Sequence, residues 1–304
     1  MDRKNFMKSV AMLAGASTMA PAFTVSASER PSSNDKVTLK KGLGFGMIQE
    51  DLSLVDKFKL VKDLGFDGVE LNTPTDLNKL EVLAAKEKSG IEIPSVVNKD
   101  HWKMPLSDPN PEIRKQCIKS VAKSLYEVKE FGGDTVLVVP GVVNEKVTYE
   151  QAYNTALNSV RELIPHVEET GMQLAIENVW NNFLLSPVEA KRFVDEINHP
   201  LVGWYFDIGN ILRYGWPEHW IKTLNSRIMK LHIKEFSVKK MFDEGLREGF
   251  NVNLLEGDNN WPNVMKAVND VGHKGGWLTV EVRGGDRERL KDISKRMDEI
   301  ISYL

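Results

Sequence analysis

The chain has 304 residues, of which 41% are hydrophobic and 27% are charged, a composition typical of globular proteins with a large core. The formal net charge of −3 provides no positive field for gathering nucleic acid or anionic membranes, so we expect no nucleic-acid partner. The single cysteine, Cys117, excludes a disulfide within the chain and lies in a helical pattern, where we expect a buried thiol.

Residues 1–30 have the order of features that defines a signal peptide. Arg3, Lys4 and Lys8 are followed by the apolar stretch SVAMLAGASTMA and then by small residues at Val25 and Ala27. The apolar stretch is too short to be a stable membrane anchor. The string DRKNFMK also resembles a twin-arginine export signal with Lys4 in the place of the second arginine. We therefore expect an exported protein, either periplasmic or secreted.

From Lys41 onward, short apolar runs alternate eight times with long amphipathic stretches. We predict strands at 42–48, 68–72, 91–97, 135–141, 172–179, 202–209, 228–236 and 276–282. This alternation predicts a parallel sheet with right-handed crossovers. Eight units match a single (β/α)8 TIM barrel domain, which typically needs about 250 residues, and we place that α/β domain at 38–304. A doubly wound open sheet is the alternative, but GLGFGMIQED only loosely approximates its phosphate loop.

One connection is longer than the others. Residues 237–260, SVKKMFDEGLREGFNVNLLEGDNN, separate the seventh predicted strand from the helical pattern WPNVMKAV. Long connections in compact domains are usually either disordered or functional. At the carboxyl end of a barrel strand, the sequence favours a functional lid.

Four consecutive predicted strands end with a residue that can bind a metal ion. They are Glu177, Asp207, His232 and Glu281. Barrel active sites form at the carboxyl ends of the strands. The flanking positions are apolar, which predicts an outward apolar face made of Ile176, Phe206, Leu231 and Val280 and, two residues earlier, Leu174, Trp204, Met229 and Leu278. The four polar side chains then point into the barrel.

A buried parallel strand should be apolar on both faces, so these four polar residues require an explanation. Three carboxylates around one imidazole repel one another unless a cation lies among them. The sequence therefore predicts one divalent metal ion; Mn²⁺, Co²⁺, Mg²⁺ and Zn²⁺ all suit these ligands, and the carboxylate majority favours the harder ions. The alternative is an ion-pair network with Lys230, Lys234 and Arg283.

Two further residues follow early strands. His101, in the loop after the third strand, is a candidate substrate contact, or else a loop histidine stacked beside Trp102. Glu70 ends the second strand with inward parity, where it would bind a sugar hydroxyl or pair with a lysine.

The motifs IEN, DIGN, HIKEF, EGDNNWPNVMKAV and VEVRGG, on successive late units, resemble the xylose isomerase-like superfamily of sugar isomerases and epimerases. The resemblance implies a sugar or keto-sugar substrate and one Mn²⁺ or Co²⁺ ion bound by Glu177, Asp207, His232 and Glu281. Glu177 and Glu281 would be catalytic, one removing a proton beside the carbonyl and the other returning it through an enediolate. Asp207 and His232 would be ligands only.

The remaining candidate substrate-binding residues are Asn210, Lys234, Glu256 and Arg283. Lys234 would neutralise an oxyanion or pair with Glu256. Asn210 stands where epimerases of free ketoses commonly have histidine, and DIGN instead resembles members that act on phosphorylated sugars.

Three other functions compete with this interpretation. A metal-dependent lyase or hydrolase of 3-keto-glycosides would share the proton abstraction and then expel the aglycone. A noncatalytic sugar-binding barrel would keep the same ligands without turnover. An abasic-site endonuclease would need more histidine ligands and a basic groove, neither of which the sequence shows. A homo-oligomer is compatible with the sequence.

Overall fold

The computed structural model describes residues 37–304, so the predicted signal peptide at 1–30 lies outside the described residues. Within them, eight parallel strands pair in chain order and close into a barrel. The strands are β1 Lys40–Gly44, β2 Gly68–Thr73, β3 Ser95–Asn98, β4 Thr135–Val138, β5 Gln173–Glu177, β6 Val202–Asp207, β7 Ile228–Ile233 and β8 Trp277–Val280. The predicted (β/α)8 TIM barrel is confirmed.

Helices follow the strands and form the outer layer. They are α1 Leu54–Asp63, α2 Lys79–Ser89, α3 Pro111–Glu130, α4 Tyr149–Thr170, α5 Pro187–Ile197, α6 Pro217–Leu224, α7 Val238–Glu244, α8 Trp261–Asp270 and α9 Arg287–Ser302. Ser53, Asn78 and Thr148 accept a backbone N–H at the starts of α1, α2 and α4, which satisfies donors that a helix leaves unpaired. No helix of residues 37–304 combines the length and the apolar character needed to cross a membrane.

Some element bounds differ from the prediction. The first strand ends at Gly44 because a single 3₁₀ turn, Phe45–Met47, begins there. The third begins at Ser95 rather than at residue 91, since the preceding Pro94 has no N–H for a sheet hydrogen bond. The long connection 237–260 contains α7 and the 3₁₀ turn Glu248–Phe250.

The register shifts between β6 and β7. Trp204 pairs with Ile228, whereas Tyr205 pairs with Lys230, so Met229 is an extra residue. Met229 packs against the cluster of Leu137, Ala175 and Tyr205, not with the outward apolar residues as predicted. That prediction was wrong because it assumed strict alternation, which a bulge interrupts.

Candidate active site

The four predicted metal ligands meet at the carboxyl end of the barrel. One ligand atom from each of Glu177, Asp207, His232 and Glu281 lies within 4.8 Å of all the others. The Nδ1 atom of His232 is 3.3 Å from Glu177 Oε1 and 3.5 Å from Glu281 Oε2. The first three side chains are buried, whereas that of Glu281 is 51% exposed. We call these four residues the ligand cluster.

Asp207 is fixed by neighbouring amides. Its Oδ1 accepts the Asn210 backbone N–H at 3.0 Å. The Asn178 side chain bridges β5 to β6: its Oδ1 accepts the Asp207 N–H at 3.0 Å, and its Nδ2 donates to the Asp207 carbonyl at 2.7 Å. The Asn210 side chain donates to the Asn178 carbonyl at 3.0 Å. Asn210 lines the cavity described below, but its Nδ2 already has this backbone partner.

His232 is oriented by Glu70. The Nε2 atom of His232 lies 2.7 Å from Glu70 Oε2, while Glu70 Oε1 accepts the hydroxyls of Ser95 at 2.6 Å and Tyr205 at 2.8 Å. Both carboxylate oxygens of Glu70 therefore already have hydrogen-bond partners within the barrel, below the cluster. Glu70 does not line the cavity where a sugar would bind, and its charged partner is His232 rather than the lysine of the alternative prediction. A carboxylate behind a histidine is the common arrangement around metal-binding imidazoles.

The charges in this layer are strongly coupled. Burial opposes the charged form of His232, but the Glu70 carboxylate raises the pKa of the imidazole well above its usual value. Burial likewise opposes ionisation of Glu70, and His232 lowers the pKa of that carboxyl. Burial raises the pKa of Glu177 to about 7.

Lys234 lies against the cluster. Its Nζ is 2.8 Å from Asp207 Oδ2 and 2.8 Å from Glu281 Oε2. This approach requires glycine at position 209, because a Cβ there would lie 2.5 Å from the Lys234 Cβ. Burial opposes the charge of Lys234, but Asp207 and Glu281 raise the pKa of the ammonium above its usual range.

The predicted pairing of Lys234 with Glu256 is wrong. Glu256 instead pairs with Arg296 at 2.8 Å and accepts the Asn253 amide at 2.9 Å. The Lys234 ammonium is already paired with two other carboxylates, those of Asp207 and Glu281. Glu256 is absent from the cavity lining.

The donor set fits a divalent cation. Four carboxylates, those of Glu70 and of the three acidic cluster members, face one lysine and one histidine. Negative charge therefore remains in excess even with His232 protonated. The buried Asp207 Oδ2 shares its cation, Lys234 Nζ at 2.8 Å, with Glu281. Excess buried carboxylate charge must be neutralised by protons or by an ion, and the carboxylates with His232 Nδ1 would hold that ion.

A cavity of about 660 Å³ opens above the cluster. Its lining includes the side chains of His101, Lys234, Asn210 and Arg283, all predicted substrate contacts. His101 Nδ1 accepts the Val139 backbone N–H at 3.3 Å, so the proton of the neutral ring is on Nε2. Burial lowers the pKa of His101 to about 4, and the ring can therefore donate a hydrogen bond without carrying charge.

Segment 237–260 is anchored by Glu235, which precedes it and was not among the predicted site residues. Glu235 Oε2 accepts the Leu255 N–H and the Trp261 Nε1–H, both at 2.8 Å, and Oε1 accepts the Asn259 side-chain amide at 3.0 Å. A Cβ at Gly257 would lie 2.6 Å from Glu235 Oε1, so the chain passes directly over this carboxylate. Burial raises the pKa of Glu235.

Eight β/α units with carboxylates and an imidazole at the carboxyl end define a (β/α)8 barrel of the kind that houses enzyme active sites. The xylose isomerase-like TIM barrel model matches residues 58–302 of this sequence. The chain belongs to that family.

Curated relatives include an L-ribulose-5-phosphate 3-epimerase, UlaE, of Salmonella typhi. It is 23% identical over 192 residues, which cover 57% of this chain and 66% of the relative. The match thus spans slightly less than two thirds of the relative's length.

Solved structures share the barrel. A 3-keto-D-glucoside 4-epimerase, YcjR, of E. coli has a TM-score of 0.72 at 16% identity, covering 87% of this chain and 100% of the other. An L-ribulose 3-epimerase has a TM-score of 0.74 at 12% identity, covering 87% and 95%. At these identities the likeness concerns the fold.

Proposed function

We propose that this protein is a divalent-metal-dependent epimerase or isomerase of keto-sugars that moves a proton at the carbon next to a carbonyl. The observation that carries the proposal is the ligand cluster, whose three carboxylates and imidazole converge within 4.8 Å at the floor of the cavity. The names of the similar proteins, epimerases of ribulose phosphate, ribulose and a keto-glucoside, support the same chemistry.

The bound ion, Mn²⁺ or Co²⁺ in this proposal, would supply Lewis-acid polarisation of a substrate carbonyl. Glu177 and Glu281 do the proton transfers. One of them, as carboxylate, takes the proton from the carbon beside the carbonyl; the C–H electron pair forms the C=C bond of an enediolate, and the carbonyl oxygen takes the negative charge. The other, protonated, donates its proton to the opposite face, which restores the carbonyl. Exchange with solvent then resets both carboxyl groups.

The surrounding residues bind and orient. Lys234, 2.8 Å from Glu281, supplies positive charge near the developing oxyanion, where such charge is most effective. His101 donates from Nε2 to a substrate oxygen, and Glu70 holds His232 in the orientation that directs Nδ1 to the cluster. Arg283, on the cavity wall, contacts a more distant substrate hydroxyl.

We also propose that the protein acts after export, with residues 1–30 removed as a signal peptide. Mass spectrometry of the protein recovered from its native compartment would reveal a mature chain beginning near residue 28 to 31. A cytoplasmic protein with its first residues intact contradicts export.

The proposed chemistry is tested by incubating Mn²⁺-loaded and Co²⁺-loaded protein with ketoses and 3-keto-glucosides in D₂O and following the sugars by NMR. We expect deuterium to enter the carbon next to the carbonyl. Glu177→Gln and Glu281→Gln should each lower the exchange rate by about 10²–10⁴-fold, the usual contribution of a positioned acid or base.

The matched control is Glu256→Gln, the same change at a carboxylate outside the cavity, where exchange should be unaffected. Unchanged exchange in both cluster variants would refute the proton-transfer roles. Loss of the aglycone together with exchange would identify a 3-keto-glycoside lyase instead. Metal binding without exchange on any keto-sugar would indicate a noncatalytic binding barrel.

A further inference from the structure

The cavity is larger than one sugar ring requires. Its volume of about 660 Å³ is in the range of cavities that enclose drug-sized ligands. The ligand cluster lies at its floor and is contributed by β5 to β8. The space beyond one ring therefore lies toward the loops that follow the strands, and the side chains of those loops decide what fills it.

One wall of this outer space is aromatic. Trp180, from the loop after β5, lies 4.8 Å from Phe250 and 5.5 Å from Phe236 between ring centroids. Both phenylalanines belong to the segment after β7, and the Arg213 guanidinium covers Trp180 at 4.8 Å from its ring centroid. Trp180 Nε1 donates to the Asn210 carbonyl at 2.9 Å, which fixes the orientation of the indole. Trp180 and Phe250 both line the cavity.

Another aromatic side chain lines the cavity from across the barrel mouth. Trp102 follows β3, and β3 is four strands from β7 in the closed barrel, which places the two loops on opposite sides. Trp102 is 51% exposed although it lines the cavity. Its contact with His101, edge to face at 5.7 Å, holds it beside a residue that we assign to the substrate.

Aromatic side chains on the wall of a cavity suit a sugar ring. A pyranose ring presents apolar C–H groups on its faces, and these are attracted to the negative face of an aromatic ring. Burying this apolar surface adds hydrophobic stabilisation. A monosaccharide held at the cluster would leave the half-exposed Trp102 without a substrate contact.

We propose that Trp102 on one side and Trp180 with Phe250 on the other form a subsite for a second sugar ring, so that the substrate is a glycoside rather than a free monosaccharide. This inference rests on the proposed proton-transfer function of the ligand cluster. The keto group lies in the ring at the cluster, and the glycosidic bond points outward to the aromatic subsite.

The test compares 3-keto-galactose with 3-ketolactose, which has the same keto ring and carries a second ring, in the D₂O exchange assay with the metal-loaded full-length protein. The wild type should have a kcat/KM about tenfold higher for 3-ketolactose, a factor that corresponds to about 1.4 kcal/mol. Trp102→Ala should lower kcat/KM for 3-ketolactose about tenfold more than for 3-keto-galactose and so remove the preference, whereas Trp102→Phe should retain most of it.

Trp216→Ala is the matched control. Trp216 is also exposed, at 65%, but is absent from the cavity lining, so its loss should change neither rate. Equal kcat/KM values for the two sugars, or a Trp102→Ala variant that slows both alike, would overturn the second subsite while leaving the proton-transfer function intact.

A binding measurement keeps the subsite testable apart from turnover. Saturation-transfer NMR with 3-ketolactose should show contact between the protein and protons of the second ring in the wild type and in Trp216→Ala, and the signal should be lost in Trp102→Ala. If those protons receive no saturation in the wild type, the subsite is refuted. If exchange fails on every keto-sugar while this contact persists, the proposed function fails and the subsite stands.

Discussion

The two ends of the barrel interior use the same residue types to different effect. Strand β7 carries Lys230 near the amino end of the barrel and His232 near the carboxyl end. Lys230 is buried, but its Nζ lies 2.9 Å from one carboxylate, that of Asp134, and 3.3 Å from the Gly275 carbonyl. At the amino end, the buried positive charge is therefore matched by one negative charge. At the other end, the four carboxylates of the ligand cluster and Glu70 face one lysine and one histidine, and a cavity lies above them.

The difference separates a structural ion pair from a functional cluster. A buried charge with a single matched partner serves to complete the packing, and evenly matched pairs contribute little beyond that. An unmatched excess of buried carboxylate persists only where an ion or a proton is to be bound. Matched substitutions at the two ends of the barrel test this distinction.

The largest effect is expected for Asp207→Asn compared with Asp134→Asn. The first change removes a charged side chain of the ligand cluster, whose buried Oδ2 lies 2.8 Å from Lys234 Nζ, and should lower Mn²⁺ affinity by more than about 100-fold, since even residues behind the ligands contribute 10- to 100-fold. Titration calorimetry measures the Mn²⁺ affinity, and the D₂O exchange assay measures the proton-exchange rate.

Asp134→Asn should leave Mn²⁺ affinity unchanged and instead lower the free energy of unfolding by about 1–3 kcal/mol, because the buried Lys230 ammonium loses its charged partner. Denaturant unfolding measures it. Equal Mn²⁺ affinities in the two variants would show that the carboxyl end is only another ion-pair network.

A second prediction concerns Glu70, which supports the cluster from below. Glu70→Gln removes the negative charge behind His232 Nε2 and should lower Mn²⁺ affinity by about 10–100-fold. Glu92→Gln, at an exposed carboxylate paired with Lys40, is the control with no expected change. An unaltered affinity in Glu70→Gln would mean that His232 does not bind the ion through Nδ1.

A third prediction concerns pH and the amino end. Burial, with the nearby Lys230 charge, lowers the pKa of His273 to about 4 from an ordinary 6.5. The unfolded chain therefore takes up this proton first as pH falls, so stability is lost between pH 6.5 and 4. The loss from this residue should reach about 3 kcal/mol.

Denaturant unfolding of wild type and His273→Leu at pH 7 and pH 5 checks this prediction. The variant should lose less stability between the two values than the wild type. His219→Leu, at an exposed position of α6, should follow the wild type. An identical pH response in wild type and His273→Leu would contradict the neutral buried imidazole.

The smallest effect is expected for Lys230→Met. It removes the buried ammonium and leaves Asp134, whose side chain is largely exposed, to be solvated by water. The free energy of unfolding should change by less than about 1 kcal/mol, with Mn²⁺ affinity and exchange unaltered. A loss larger than that of Asp134→Asn would contradict the assignment of the buried charge as the costly member of the pair.

The barrel and its ligand cluster were predictable because both depend on local periodicity. Strand and helix alternation fixes the eight units, and polar residues at equivalent strand ends must converge when parallel strands close. Met229 was misplaced since a bulge leaves no signal in the alternation of residue types.

Contacts between distant segments were not predictable from the sequence. Glu70 looked like a sugar contact because its parity is inward, but parity does not reveal that His232, Ser95 and Tyr205 occupy both its oxygens. The anchor at Glu235 was missed for the same reason, as its partners lie twenty or more residues further along the chain. Among the residues of this anchor, only Gly257 indicates that the chain passes close to another group, here the Glu235 carboxylate.

This anchor would allow segment 237–260 to be exchanged. Glu235, just before the segment, holds its carboxyl-terminal end through Leu255 and Asn259, while the tip around Phe242 and Leu246 is exposed. Different tips can therefore be grafted between residues 239 and 250 while the anchor and the barrel remain as they are. A library built in this window would change what enters the cavity without redesign of the ligand cluster.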